Sequence, residues 1–284
     1  MKGQIVKVHS NNYYVSVNGD TPIKCSARGL LKLKKTEILV GDFVDFENGV
    51  INKIHQRKNS FIRPSVANVD VMAIVVGFEP APDYYLIDKL LINAELTGVE
   101  KILIVNKADA GEELFNSLKD EYSKAFDKFF SVSALSNIGI DELKSYLSGK
   151  FTVFAGQSAV GKTSLINSIF GFSLKTGDLS EKIVRGKHTT TYSAIHGKGD
   201  LKIIDSPGFA VIDATPEKDD LKYCYPDFSD FEGKCKFRGC VHISEPDCAI
   251  KQAVEKGLIN ENRYKRYLEI YKEVLERGKL YAKY

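Results

Sequence analysis

Residues 151–170 read FTVFAGQSAVGKTSLINSIF, and the change of pattern inside this stretch decides the fold. The apolar run 151–154 predicts a buried strand. It breaks at Gly156, and beyond Lys162 and Thr163 the apolar positions Leu165, Ile166 and Ile169 fall at helical spacing. Between strand and helix lies Gly156-Gln157-Ser158-Ala159-Val160-Gly161-Lys162-Thr163, which is G-x-x-x-x-G-K-T. Glycines let the backbone wrap a polyphosphate, so that successive N–H groups and the helix N-terminus face its negative charge. Residues Gly156 to Thr163, with the adjoining Ser164, are therefore candidate phosphate contacts. Lys162 would reach the β- and γ-phosphates, and the Thr163 hydroxyl would ligate Mg²⁺. A chance Gly-rich turn is the bland alternative, and the flanking strand and helix argue against it.

Working outward, 284 residues imply two or three domains, and 43% hydrophobic residues are enough for ordinary soluble cores. No apolar run approaches the roughly 18–20 residues that span a bilayer, and Met1-Lys2-Gly3-Gln4 opens no signal-peptide core. The expectation is a cytoplasmic protein without membrane contact. A net charge of +3 is too small to argue for nucleic acid over the whole chain. Five cysteines, three of them between Cys235 and Cys248, point to metal binding rather than disulfides in a reducing compartment.

Residues 4–9, 13–17, 23–26, 43–46 and 50–55 read as short strands, with Asn18-Gly19 and Asn48-Gly49 as tight turns. Five such strands suggest a small closed barrel of the OB type. Barrels of this kind often bind single strands or RNA through basic loops and stacking aromatics. Arg28, Lys32, Lys34 and Lys35 share one expected loop, and Tyr13 and Tyr14 lie on a neighbouring strand. A solvated loop and two packed tyrosines would account for the same residues.

Beyond Arg63-Pro64 the composition changes. Residues 71–76 form a continuous apolar run, as expected of a strand buried on both faces of a parallel sheet. Helices are expected over 83–96, 112–126 and 140–147, and strands over 101–105, 129–132, 151–154 and 201–204. This alternation predicts a doubly wound sheet with ligands at the carboxyl ends of its strands.

Three strand ends carry polar signatures. Asn106-Lys107-Ala108-Asp109 follows the strand at 101–105. A carboxylate at Asp109 accepts from both N1–H and the exocyclic amine of guanine, whereas adenine offers no matching donor pair. Asn106 would fix the loop and contact the base, and the Lys107 stem would cover its face. Ser131-Val132-Ser133-Ala134 is the second signature, with the backbone at Ser133 and Ala134 placed for guanine O6. Asp205-Ser206-Pro207-Gly208 is the third: Asp205 would hold Mg²⁺ through water and the Gly208 N–H would sense the γ-phosphate. Between the phosphate loop and that strand lies Arg185-Gly186-Lys187-His188-Thr189-Thr190-Thr191. Thr190, with Thr189 beside it, is the candidate to complete the Mg²⁺ shell.

Four signatures answer one chemical need, binding of a magnesium guanine nucleotide. Their order departs from an ordinary GTPase, in which the phosphate loop comes first. Here N-K-x-D and S-A precede it, as a circular permutation with the cut after D-x-x-G would give. The chain then leaves that loop directly for the domain that follows.

Past Asp213 the β/α pattern stops. Cys235, Cys240, His242 and Cys248 form C-x₄-C-x-H-x₅-C, a complete tetrahedral set for one structural Zn²⁺ with no position left for catalysis. A short segment poor in apolar runs would draw folding energy from the metal. Cys25 and Cys224 lie outside the set and are expected to be buried thiols. A closing helix over 261–277 spaces Tyr264, Tyr267, Leu268, Tyr271, Val274 and Leu275 for packing.

Taken together, the barrel, these motifs in this order and the four metal ligands resemble the RsgA family, also called YjeQ or YloQ. That resemblance spans essentially the whole chain. It implies a multi-domain protein: an RNA-binding OB-fold β-barrel (1–65), a central α/β P-loop GTPase domain, circularly permuted (66–214), and a small helical zinc-binding domain (215–284). It implies binding of the small (30S) ribosomal subunit and its 16S rRNA, help in its late maturation, and hydrolysis of GTP to GDP that the ribosome stimulates and that drives release. A monomer is expected. Phe209 stands where many GTPases have a water-orienting Gln, and the switch histidine of the family matches His188, implied to be catalytic. A different class, an RNA-binding scaffold holding nucleotide with negligible turnover, would retain the motifs without the reaction.

Overall fold

The computed structural model describes residues 1–9, 11–17, 19–29, 37–61, 65–171, 195–205 and 216–281. Of the residues singled out above, Lys32, Lys34, Lys35, His188, Thr189, Thr190, Gly208 and Phe209 lie outside the described residues.

Five strands close the N-terminal barrel: β1 (Lys2–His9), β2 (Asn12–Ser16), β3 (Ile23–Ala27), β4 (Phe43–Glu47) and β5 (Val50–Ile54), in the order β1-β2-β3-β5-β4. This is the expected OB-type barrel, and closure leaves it no open edge. Its interior is built by alternation: Val44 and Phe46 point inward to Ile5, Val15, Cys25 and Ile51, while Phe43 and Glu47 face out. The β4–β5 hairpin turns on Asn48 and Gly49, both at positive φ (49° and 73°), the backbone that an Asn-Gly hairpin turn requires. Two strands that the sequence pattern did not suggest, β6 (Ser60–Phe61) and β7 (Val66–Ala67), form a small ladder after the barrel.

The central sheet has six strands: β8 (Val71–Val76), β9 (Glu100–Val105), β10 (Lys128–Ser131), β11 (Phe151–Ala155), β12 (Ile195–Lys198) and β13 (Leu201–Asp205), ordered β10-β9-β8-β11-β13-β12. All neighbours are parallel except the β12–β13 pair. Every residue of β8 and β11 is buried, as strands covered on both faces demand. Helices α1 (Tyr84–Thr97) and α2 (Glu113–Glu121) cover one face through Ile87, Leu90, Leu91 and Leu118. On the other face α3 (Ile140–Leu147) and α4 (Lys162–Phe170) contribute Leu143, Leu147, Leu165 and Ile169. Truncating one such side chain to Ala costs about 2–5 kcal/mol.

Two details differ from the sequence expectation. The helix expected over 112–126 ends at Glu121, because the chain bends there to bury Tyr122, Ala125 and Phe126 in the core. The edge strand β12 has too little apolar alternation to be read from sequence, and forms by pairing with β13 from Ile195–Ile204 to Lys198–Leu201.

After residue 216 come two short 3₁₀ turns, Leu221–Cys224 and Pro226–Phe228, then helices α5 (Ala249–Glu255) and α6 (Glu261–Tyr281). Their core joins Leu221, Tyr225, Phe228, Ile250, Tyr267 and Ile270, and Ile92 of α1 belongs to the same cluster. The tyrosine and leucine stripe of α6 is packing, as its spacing implied. Among the described residues, no helix is long and apolar enough to cross a membrane.

Candidate functional site

Strand order reverses between β8 and β11: β9 and β10 continue outward from β8, and the chain then returns to place β11 on the other side. The carboxyl ends of these two strands make the crevice where a doubly wound sheet binds ligands. The phosphate-loop sequence occupies it. Gly156 has φ 129°, and a Cβ there would sit 2.2 Å from the Val75 carbonyl oxygen. Gly161 has φ 94°, and its Cβ would sit 2.3 Å from Nδ2 of Asn106. Both glycines are therefore demanded by close approach to neighbouring backbone or amide, which is what pulls the loop into a concave turn.

Asn106 joins this loop to the two others. Its Nδ2 donates to the Val160 carbonyl at 2.9 Å, its Oδ1 accepts from the Ala134 N–H at 3.2 Å, and the side chain is buried. The expected loop-fixing role is visible in this geometry. The Ala134 N–H, expected to face guanine O6, is turned to Asn106 here. Ser133 is buried and its Oγ accepts from the Ser136 N–H at 3.0 Å, so it shapes the turn from inside. Ala108 donates its N–H to the Val132 carbonyl at 2.9 Å, holding the N-K-x-D loop against the S-A loop. Lys107 sits at φ 67° and its Nζ donates to the Glu79 carbonyl at 2.5 Å. Asp109 lies on a 3₁₀ turn over Ala108–Ala110, exposed at the rim.

In the phosphate loop, Lys162 Nζ folds back to donate to the carbonyls of Gly156 (2.8 Å) and Gln157 (2.6 Å). Burial lowers its pKa from the usual lysine value, against the opposing pull of Asp205. A cation in a half-buried crevice, met among the described residues by carbonyls and one carboxylate, is suited to an anionic ligand. The Thr163 hydroxyl donates to Asp205 Oδ2 at 2.8 Å, which brings two of the three expected Mg²⁺ ligands together. Gln157 is partly buried, Ser158 and Ala159 are exposed, Val160 is fully buried, and Ser164 lies in the first turn of α4. Ala159 adopts φ 66°, the left-handed turn that carries the loop into the helix. Of the basic loop residues, Arg28 is described and exposed; its backbone N–H donates to Ile51.

The second constellation lies in the C-terminal unit. The ligand atoms of Cys235, Cys240, His242 and Cys248 all fall within 4.8 Å of one another. Cys235 Sγ and Cys248 Sγ lie 3.9 Å apart, and His242 Nδ1 lies 3.6 and 3.4 Å from them. A tetrahedral zinc with ordinary Zn–S and Zn–N bonds sets such separations at roughly 3.5–3.8 Å, so these three donors match that ion, and Cys240 Sγ, within 4.8 Å of each, is near enough to close the set. Burial, helped by the neighbouring thiols, pushes Cys240 up to about 12, a state that a bound dication would reverse. Behind the ligands, His242 Nε2 meets Glu232 Oε2 at 3.3 Å, and Lys222 Nζ bridges Glu232 Oε1 and the Cys240 carbonyl, each at 3.0 Å. Glu232 and Lys222 escaped the sequence reading, because a supporting carboxylate has no fixed spacing from its histidine. Cys25 and Cys224 are buried apart from the set, as expected, and burial pushes Cys224 up to about 12.

Comparison with known proteins agrees with this geometry. The family model described as RsgA GTPase matches residues 54–215, and that of the RsgA N-terminal domain matches residues 2–53. The small ribosomal subunit biogenesis GTPase RsgA of Clostridium beijerinckii is 37% identical over 288 residues, covering 98% of this chain and 99% of that protein. The protein of the same name from Geobacillus sp. is 36% identical over 293 residues, covering 99% of each. Among solved structures, YjeQ from Thermotoga maritima matches with a TM-score of 0.83 at 35% identity, over 96% of this chain and 98% of that one. YloQ, described as a circularly permuted GTPase, matches at 0.76 and 31% identity, over 97% and 95%.

Proposed function

This chain belongs to the RsgA GTPase family, and from that premise we propose that it hydrolyses GTP to GDP and phosphate while assisting late maturation of the small ribosomal subunit. The observation that carries the reading is Asn106: one buried amide ties the N-K-x-D strand end to the phosphate loop and to the S-A loop, the arrangement a guanine nucleotide needs around it. In this reading Asp109 selects guanine, the Lys107 stem covers the base, and the loop from Gly156 to Ser164 holds the phosphates. Lys162 leaves its carbonyl partners for the β- and γ-phosphates. Thr163, Asp205 and Thr190 hold Mg²⁺, which supplies charge neutralisation as the γ-phosphoryl group leaves. Gly208 senses that group, and His188 positions the attacking water in place of the missing Gln.

Three functional units follow, over residues 1–65, 66–214 and 215–284. The barrel, with Arg28, Lys32, Lys34 and Lys35, and the zinc unit contact 16S rRNA, and the protein works as a cytoplasmic monomer. One Zn²⁺ on Cys235, Cys240, His242 and Cys248 holds the last unit together. The test is GTP turnover by the purified chain with and without isolated small subunits. Turnover that is slow alone and rises on adding small subunits is the expected result. Tight GTP binding with no turnover in either case would replace the enzyme with a nucleotide-holding scaffold, and equal hydrolysis of ATP would remove the guanine assignment.

A further inference from the structure

Helix α1 is gripped at its cap and again within its first two turns by residues that have different jobs. At its start, Asp83 caps the helix by accepting the Leu86 N–H at 2.9 Å, and its own N–H donates to Gln157 Oε1 of the phosphate loop at 2.9 Å. Just upstream, Lys107 of the N-K-x-D loop donates to the Glu79 carbonyl. Two side chains of the candidate nucleotide site therefore hold the segment 79–83 that leads into α1.

Farther along, α1 holds the C-terminal unit. Asp88 is fully buried, and its carboxylate accepts from Arg263 Nη1 and from Arg266 Nε of α6. Arg263, itself 1% exposed, also donates to Asp227 Oδ2, and Arg266 donates to Glu121 Oε1, each at 2.5 Å. Glu273 of α6 accepts from the Tyr85 hydroxyl at 2.5 Å and from Lys89 Nζ at 2.8 Å. Stripping one partner from a buried network of this kind leaves an uncompensated charge, so α6 is bound to follow α1.

We propose that α1 is a stiff connector through which nucleotide occupancy is felt by the metal-binding unit, a proposal that rests on the nucleotide-binding reading above. A base under the Lys107 stem and phosphates in the loop fix Lys107 and Gln157. Those two side chains then restrict residues 79–83 and so the first turn of α1. Asp88 lies five residues beyond the cap, about 7.5 Å along the helix axis, which leaves little compliance between the two grips. The connection needs no contribution from residues 206–215, which join the D-x-x-G signature to the C-terminal unit in sequence.

Hydrogen exchange on the full chain tests this, alongside fluorescence binding of a labelled GDP. With saturating GDP, amides at 227–228 and in the first turns of α6 should exchange about fivefold more slowly or better, the lower range of ordinary site-to-site coupling. Gln157→Met, measured at its own saturating GDP, should keep protection in the phosphate loop and lose most of the slowing in α6. Tyr85→Phe, which removes the hydrogen bond from α1 to Glu273 of α6, should reduce that slowing with GDP affinity unchanged. Protection of the phosphate loop without any change in α6 would overturn the connector, as would full retention of the effect in Gln157→Met. Failure of GDP to bind at all would instead overturn the nucleotide reading and the connector with it.

Discussion

The Thr163 hydroxyl donates to the Asp205 carboxylate across 2.8 Å although the two residues are 42 apart in sequence. One begins α4 and the other ends β13, and the parallel pairing of β11 with β13 places them side by side. Such a pair is the minimal frame of a hard-cation site with oxygen donors. Asp205→Asn keeps the shape but removes the charge. Turnover should fall about 100-fold, the usual effect of removing one preorganised electrostatic contact. A phosphate-release assay across a magnesium titration reads it, and an unchanged magnesium requirement would disprove the assignment.

Asp109 stands exposed at the rim on its 3₁₀ turn. Asp109→Asn exchanges one acceptor oxygen for a donor that faces the donor edge of guanine. GDP affinity should fall about 10- to 100-fold, in line with about 1.5–3 kcal/mol for a hydrogen bond to a charged group. Calorimetric titration with GDP, and with a xanthine nucleotide whose 2-oxo group accepts that donor, checks the direction: the first should weaken and the second gain.

His188 is assigned to the chemical step and not to binding. His188→Ala should leave GTP affinity nearly unchanged and remove most of the turnover stimulated by small subunits, by about 100-fold if it acts as a general base. Binding and turnover measured on one preparation separate these effects, and retained stimulation would exclude the role.

The metal unit makes its own prediction. The native chain should carry one equivalent of zinc by elemental analysis, and strong chelators should melt the C-terminal unit ahead of the rest. Glu232→Gln weakens the hydrogen bond to His242 Nε2 while sparing all four ligands. Zinc affinity should then drop about 10- to 100-fold, as for other supporting carboxylates. Competition with a chromogenic chelator measures it.

The candidate nucleotide site could be proposed from sequence because it is local: each signature is a few residues long and sits at the end of a recognisable strand. The permuted order was legible too, since it needs only the sequence positions of Asn106, Gly156 and Asp205. What escaped reading is long-range and polar. Asp88 falls on the buried face of α1, where a charge looks like a fault in the apolar pattern, and its partners Arg263 and Arg266 lie 175 and 178 residues away. The Gln157–Asp83 link pairs a side chain with a backbone N–H, which carries no residue-type signature at all. Glu232 and Lys222, likewise, support the metal ligands from positions that the ligand spacing does not specify.

The order of strands also sets an order of manufacture. Of the strands of the central sheet, β8, β9 and β10 leave the ribosome first, and β8 then waits with one side unpaired, because its second neighbour, β11, starts 75 residues after β8 ends at Val76. At about 5–20 residues per second, that wait lasts roughly 4–15 s. Throughout it, Val71–Val76, the most apolar strand in the sheet, offers a bare pairing edge to any passing chain. For those seconds the edge of β8 is open to wrong pairing, a hazard that the finished sheet, with β11 paired against β8, no longer carries.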